Sequence, residues 1–230
     1  MNIIVSYKVY YNRIMSAHQR TRHLSTYLNT SRQTIIELLE NRGYDMTKYK
    51  TFEPSTSNNE SMSPIVVSND KEMVEVHYEL TSTRTNHKNV SKKVTQIIEK
   101  RKEKDKKKEL TIIFLVSDSM TPSVKEAIRV LTNKYKIFIQ VFPIRTLMYN
   151  ITKHQSVPEH VRISKSEYNK YLDDLLDSLH IDSLDNLPKI LDTDPVAMFI
   201  GLRPGDLCKI TRPSLSAGIH VVYRYCVTDR

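Results

Sequence analysis

The stretch DPVAMFIGLRPGDLCKITRPS, residues Asp194 to Ser214, holds two of the four glycines in a chain of 230 residues. Its local chemistry can be read in order. Asp194 caps a short helix begun by Pro195, and Gly201 ends that helix in the left-handed conformation. Arg203-Pro204-Gly205-Asp206 then has Pro and Gly at the central positions of a type II turn. LCKITR follows as a strand, closed by Pro213, which cannot donate to a ladder. SLSAG connects into IHVVYRYCV, which alternates along its length, so a short helix and then a β-hairpin are predicted for this part.

Working back from there, ISKSEYNKYLDDLLDSLH (Ile163 to His180) has Ser164 and Glu167 in capping-box spacing. Tyr168, Tyr171, Leu172, Leu175, Leu176 and Leu179 then form one stripe, which predicts a single amphipathic helix. Asp173, Asp174 and Asp177 lie on its solvated side. Further upstream, TIIFLV (Thr111 to Val116) and KIFIQVF (Lys136 to Phe142) are continuous apolar runs of the kind found in strands covered on both faces. Between them, Thr121 stands as an N-cap, Pro122 at the first helical position, and Val124, Ala127, Ile128 and Leu131 on one face. Strand, helix, strand implies a parallel pair joined by a right-handed crossover. The loop before that helix is either a plain capped start or a place where backbone N–H groups meet an anion. Helices are also predicted around Thr30 to Arg42, ended by Gly43, and over Val90 to Ile98, with a strand over Glu72 to Leu80. Thr51 to Asp70, rich in Ser, Asn and Pro, reads largely as a loop.

Charge divides the chain. Residues 151–230 carry ten Lys/Arg against eleven Asp/Glu, whereas residues 1–150 carry 25 against 15. Much of the excess lies in Lys92 to Glu109, which is either a solvated helix face or a surface facing nucleic acid phosphates; it has no interleaved aromatics on which bases would stack. No apolar run reaches the length of a membrane helix, and the first residues lack the pattern of a signal peptide, so an intracellular protein is expected. Cys208 and Cys226 fit a reducing compartment and lie in predicted strands, where free cysteine is usually a small buried hydrophobe.

Catalytic patterns are missing. There is no glycine-rich phosphate loop, no Gly-flanked nucleophile, and no Cys/His spacing for a metal. Neither a cofactor, a metal nor a small-molecule substrate is expected, and the chain reads as a binding or assembly protein.

From Thr111 onward the chain resembles the fifth shared subunit of eukaryotic RNA polymerases, whose last part corresponds to the H subunit of archaeal RNA polymerase. The matching segments are MTPSVK (Met120 to Lys125), NITKHQSVPEH (Asn150 to His160), LPKI (Leu187 to Ile190), DPVAMFIGLRPGDLCKITRPS and AGIHVVYR (Ala217 to Arg224), in order and at consistent spacing. NRGY (Asn41 to Tyr44) resembles the family's amino-terminal region. The resemblance implies an α/β plus α+β fold. Residues 1–150 would be a jaw domain with a partly parallel sheet, nuclease-like in architecture, carrying a flexible insert at 51–70. Residues 151–230 would be a small mixed α/β assembly domain ending in a β-hairpin.

It further implies a non-catalytic subunit of a multisubunit DNA-dependent RNA polymerase, partnered by the largest subunit and other polymerase subunits. Thr121, Pro122, Ser123 and Lys125 would lie near downstream duplex DNA. Pro158, His160, Asp194, Pro195, Arg203, Arg212, Pro213, Ser214 and Arg224 would form the assembly surface, with bracing of the hairpin as the alternative role for Arg212. Such a subunit would work in the nucleus, or in host cytoplasm or the virion if a virus encodes it. Two departures stand out: Leu215 follows the RPS where the family usually has an acidic residue, and Ile219 follows the Ala-Gly where an aromatic is common. The rival readings are a nuclease built on Glu72, Glu75 or Glu79, and a free basic DNA-binding protein.

Overall fold

The computed structural model describes residues 17–50, 63–79, 87–101, 108–117, 121–214, 216 and 218–228. Two compact units emerge, Met1–Ile36 with Thr47–Tyr149, and Glu37–Met46 with Asn150–Arg230. Among the described residues, no helix is long and apolar enough to cross a membrane.

The first unit is built on a four-stranded sheet in the order β1-β2-β3-β4: Ile65–Ser68, Glu72–Glu79, Glu109–Val116 and Phe138–Pro143. β1 and β2 are antiparallel, and the β2–β3 and β3–β4 pairs are parallel, so the sheet is partly parallel as expected. β3 is buried from Leu110 through Val116, which is why its sequence is an unbroken apolar run rather than an alternation. On one face, helix α3 (His87–Lys100) presents Val90, Val94 and Ile97, and helix α4 (Pro122–Tyr135) presents Val124 and Leu131. These pack on Met73, Ile112, Phe114, Ile139 and Val141. Each fully buried side chain of this size contributes about 1.5–3 kcal/mol. On β2, Tyr78 has the opposite parity and buries its hydroxyl beside Ser31 and Arg32 of helix α1 (Ala17–Asn41). Burial pushes its pKa up to about 12 against the lowering pull of the Arg32 charge.

Thr51 to Asp70 is not all loop. Residues 51–62 lie outside the described set, but Ile65–Ser68 forms β1, with Ile65 and Val67 buried opposite Val76 and Val74. The Tyr49 hydroxyl, from the short helix α2 (Thr47–Lys50), donates to the Val66 carbonyl at 2.9 Å and accepts from its N–H at 3.1 Å. One side chain thus satisfies both backbone groups that Val66, in register with Glu75 of β2, turns away from its partner strand. The predicted strand from Lys136 begins instead at Phe138, because Lys136 takes the left-handed C-cap of α4 at φ 54°.

The second unit holds a mixed sheet in the order β5-β7-β8-β6: Glu159–Ile163, Leu207–Ser214, Gly218–Val227 and Lys189–Leu191. β7 is antiparallel to β5 and β8, while β6 runs parallel to β8. Helix α7 (Pro195–Ile200) covers one face through Ala197 and Ile200, which pack with Leu202 on Cys208, Ile210, Cys226 and Ile190. The other face is covered by helices α5 (Lys165–Tyr168) and α6 (Leu172–Leu179), with Tyr168, Leu175, Ile163 and Leu207 at the centre. These two helices correct the single helix predicted from Ser164 onward. The chain breaks at Tyr171, whose φ of −139° is not helical. Tyr168 is drawn inward to donate its hydroxyl to the Gly205 carbonyl at 2.7 Å. The tertiary contact overrides a stripe that was continuous in sequence. Pro213 also departs from expectation, since β7 continues through it to Ser214. β5 pairs β7 only as far as Thr211, so Pro213 sits where one side of the strand has no ladder to lose.

Candidate functional site

The type II turn at Arg203–Asp206 forms as read, with the Asp206 N–H bonded to the Arg203 carbonyl at 2.9 Å and Gly205 at φ 93°. Its last residue does more than close it. Buried Asp206 accepts from Arg162 Nε at 2.6 Å through Oδ2, from the Arg203 N–H at 3.1 Å through the same oxygen, and from the Lys165 N–H at 3.1 Å through Oδ1. One carboxylate therefore ties β5, the start of α5 and the turn before β7. The Ser164 side chain makes no cap bond and instead meets Ser166 Oγ at 3.1 Å, so the predicted capping box is replaced by a cap from Asp206. The Asp206 carbonyl also accepts from the Cys226 N–H at 2.9 Å.

Helix α7 is fastened at both ends. Asp194 Oδ1 accepts from the N–H groups of Val196 and Ala197 at 2.8 and 3.1 Å. At the other end, the Gly201 N–H bonds Met198 O and the Leu202 N–H bonds Ala197 O, a Schellman closure with Gly201 at φ 71°. Arg42 donates to the Met198 and Phe199 carbonyls at 2.6 and 3.0 Å, placing a cation on the carbonyl end of the helix. Nearby, Asn150 donates to Glu37 Oε2 at 2.7 Å and accepts from the Thr152 N–H at 3.0 Å, while Lys153 pairs with Glu37 at 3.0 Å. In the sequence Asp206 reads only as a turn residue and Arg42 only as the end of a helix, because Arg162 and the carbonyls of Met198 and Phe199 are far away along the chain.

The side chains expected at an assembly surface fall into two groups. β5 begins, β7 ends and β8 begins at one end of the sheet, so His160, Arg212, Pro213 and Ser214 gather there. His160, Arg212 and Ser214 share one face with His220, and Arg212 Nε reaches His220 Nδ1 at 3.3 Å, bracing the hairpin across its strands. The Pro158 carbonyl lies 2.7 Å from His160 Nδ1 and orients the ring. Asp194, Pro195, Arg203 and Arg224 lie elsewhere, as helix cap, first helical residue, turn residue and the partner of Cys208 across the ladder. Arg224 Nη1 is 3.4 Å from the Lys189 carbonyl.

The opposite face at the hairpin end carries a feature that sequence reasoning missed. By strand parity Val161, Pro213, Ile219 and Val221 point to the same side, beyond the cover of α5 and α6. Ile219 is 69% exposed, Val161 44% and Val221 40%. The signal was present in IHVVYRYCV, whose odd-numbered residues are all aliphatic or aromatic. Leu215 and Ala217, between the strands, lie outside the described residues.

In the first unit, Thr121, Pro122, Ser123 and Lys125 open α4, with Pro122, Ser123 and Lys125 exposed. Thr121 occupies the N-cap position but its hydroxyl lies 3.0 Å from Ser123 Oγ instead of capping, and Met120 lies outside the described residues. Glu75 and Glu79 share a face of β2 with His77. Glu75 meets His77 Nε2 at 3.1 Å, and Glu79 is paired with Lys93 of α3. Glu72 stands at the other parity. Among the described residues no group of three His, Cys, Asp or Glu is placed to hold a metal ion.

The family model for RNA polymerase Rpb5, C-terminal domain, matches residues 149–226, nearly the span of the second unit's main segment. The subunit rpabc1 of DNA-directed RNA polymerases I, II, and III from Dictyostelium discoideum is 31% identical over 198 residues, covering 85% of this chain and 95% of that relative. Its counterpart RPABC1 from Caenorhabditis elegans is 41% identical over 117 residues, 50% of this chain and 51% of its own. The DNA-directed RNA polymerase subunit Rpo5 of Methanosphaera stadtmanae is 49% identical over 75 residues, 33% of this chain and 91% of that relative. With most of the chain aligned to one relative and its second unit to the family's own domain, the protein belongs to the Rpb5 family of RNA polymerase subunits.

Proposed function

We propose that this chain is a non-catalytic structural subunit of a multisubunit DNA-dependent RNA polymerase, with residues 151–230 docked on the largest subunit and residues 1–150 acting as a jaw near downstream duplex DNA. The observation that carries the docking half is the hairpin end of the second sheet, where exposed Val161, Ile219 and Val221 stand on one face and Arg212 and His220 on the other. Scattered apolar side chains are ordinary on a surface, but Ile219 and Val221 of β8 stand beside exposed Pro213 of β7, with Val161 on β5 across Lys209 and Thr211, which gives this face an apolar end suited to protein contact. Asp206, Arg42 and the caps of α7 act behind that surface and hold its strands in place.

The jaw half rests on the partly parallel sheet, read as nuclease-like in architecture, and on the basic balance of residues 1–150. The exposed start of α4 at Pro122, Ser123 and Lys125 is the part assigned to DNA. Glu75 and Glu79, held by His77 and Lys93, favour this binding role over a nuclease centre. The chain would work where its polymerase works, in the nucleus or, for a virus-encoded enzyme, in host cytoplasm or the virion. Affinity purification of the tagged protein from its native source under gentle salt tests the reading. Recovery of the large polymerase subunits is expected, and recovery of this chain alone overturns it.

A further inference from the structure

Helix α3 stops short of the edge strand β1, and between them lies a groove of about 450 Å³ within the first unit. Its floor is apolar: Val66 of β1, 40% exposed, with Met73 of β2 and Ile97 of α3. Its rim is cationic, with Lys93, Lys100 and Arg101 along α3 and just beyond its end. The two charged or titratable groups that β2 sends into it, Glu75 and His77, bond each other at 3.1 Å. Lys93 is further occupied by Glu79, and burial lowers its pKa, as expected for an ammonium at the wall of a partly dry cleft.

We propose that this groove is a docking site for an acidic amphipathic helix, which lays apolar side chains on Val66, Met73 and Ile97 and sets its carboxylates against Lys100 and Arg101. Charge complementarity gives the sign of the partner: among the described residues, Lys100 and Arg101 add positive charge at the groove, the Arg101 guanidinium also donating to the Lys108 carbonyl, while Lys93 is balanced by Glu79 and Glu75 bonds His77. The floor gives its class. A nucleic acid strand would need aromatic platforms or an open basic surface, and among the described residues no aromatic ring other than the His77 imidazole lines this groove. A helix in an apolar groove needs anchors spaced along one face, and Val66, Met73 and Ile97 supply the receiving surface. Strand addition at β1 is disfavoured because Tyr49 already satisfies both backbone groups of Val66. The groove belongs wholly to the first unit, and its occupancy does not depend on the docking reading given above.

The test uses the full chain and a fluorescein-labelled peptide of about fifteen residues, with Leu at helical i, i+3 and i+4 spacing and Glu elsewhere. Its controls are the same peptide with Lys for every Glu, a duplex DNA and a single-stranded DNA. Anisotropy should report saturable binding of the acidic peptide that weakens as salt rises, and no binding of the Lys peptide. Val66→Asp and Lys100→Glu should each weaken it about tenfold, with the thermal melt unchanged in Lys100→Glu, whose side chain is exposed, and lowered in Val66→Asp, which stands opposite Glu75 on the sheet. Two separate variants guard against loss of folding in either one. Absence of acidic-peptide binding, undiminished binding by both variants, or DNA in place of peptide binding through these residues overturns the proposal.

Discussion

The guanidinium of Arg42 lies 2.9 Å from where a β-carbon on Gly201 would stand, and from there it donates to the last carbonyls of helix α7. Gly201 is therefore fixed twice, by its φ of 71° and by the arginine above it. Gly201→Ala should destabilise the protein by about 1–2 kcal/mol from the left-handed backbone alone, and by more because Arg42 must move. Arg42→Ala should cost about 2 kcal/mol through its lost charge-assisted hydrogen bonds. The double variant should cost less than the sum, because removing Arg42 frees the space that the new methyl group needs. Denaturant melts of the four proteins measure this directly, and strict additivity would show that the close approach carries no energy.

Asp206 collects Arg162, the Lys165 N–H and the Arg203 N–H on one buried carboxylate. Asp206→Ala leaves all three without their acceptor and should cost about 3 kcal/mol, as expected when one partner of a largely buried pair is removed. Asp206→Asn keeps one acceptor oxygen and should recover part of that loss. Hydrogen exchange should show the effect first at Lys165 and Arg203, whose amides lose their cap.

Burial pushes the thiol of Cys208 up to about 11 and that of Cys226 up to about 12, each from an ordinary 9.0. The fold therefore favours the protonated thiols. Their contribution to stability is complete below pH 9 and is lost as pH rises from 9 toward those values. Native protein at about pH 8 should react slowly with a thiol reagent, and urea should release both sulfhydryls. Fast stoichiometric labelling of the native state would contradict the buried, neutral assignment.

Much of the second unit was legible because its instructions are local. Asp194, Pro195, Gly201 and the Pro204-Gly205 turn each satisfy a rule that operates within a few residues, and the structure places them as read. The break at Tyr171 was not legible, because it depends on Tyr168 reaching Gly205, thirty-seven positions away. Asp206 escaped notice for the same reason, looking like an ordinary turn residue until Arg162 and Lys165 fold against it. β1 was hidden by its setting: four residues, two of them inward-facing, in a stretch dominated by Ser and Asn. The exposed row at Val161, Ile219 and Val221 was half legible, since the alternation is in the sequence while the point where α5 and α6 stop covering it is not.

The proposed seat of this chain on the largest subunit of an RNA polymerase is the hairpin end of the second unit. The most direct measurement compares co-purification of that subunit with tagged wild-type protein and with Ile219→Asp, whose side chain is 69% exposed and so leaves the fold intact. The expected result is a several-fold loss of the largest subunit from the variant at unchanged thermal stability, with Pro122→Ala retaining it as wild type does. Undiminished recovery of the largest subunit with Ile219→Asp would mean that the hairpin end is not the docking surface.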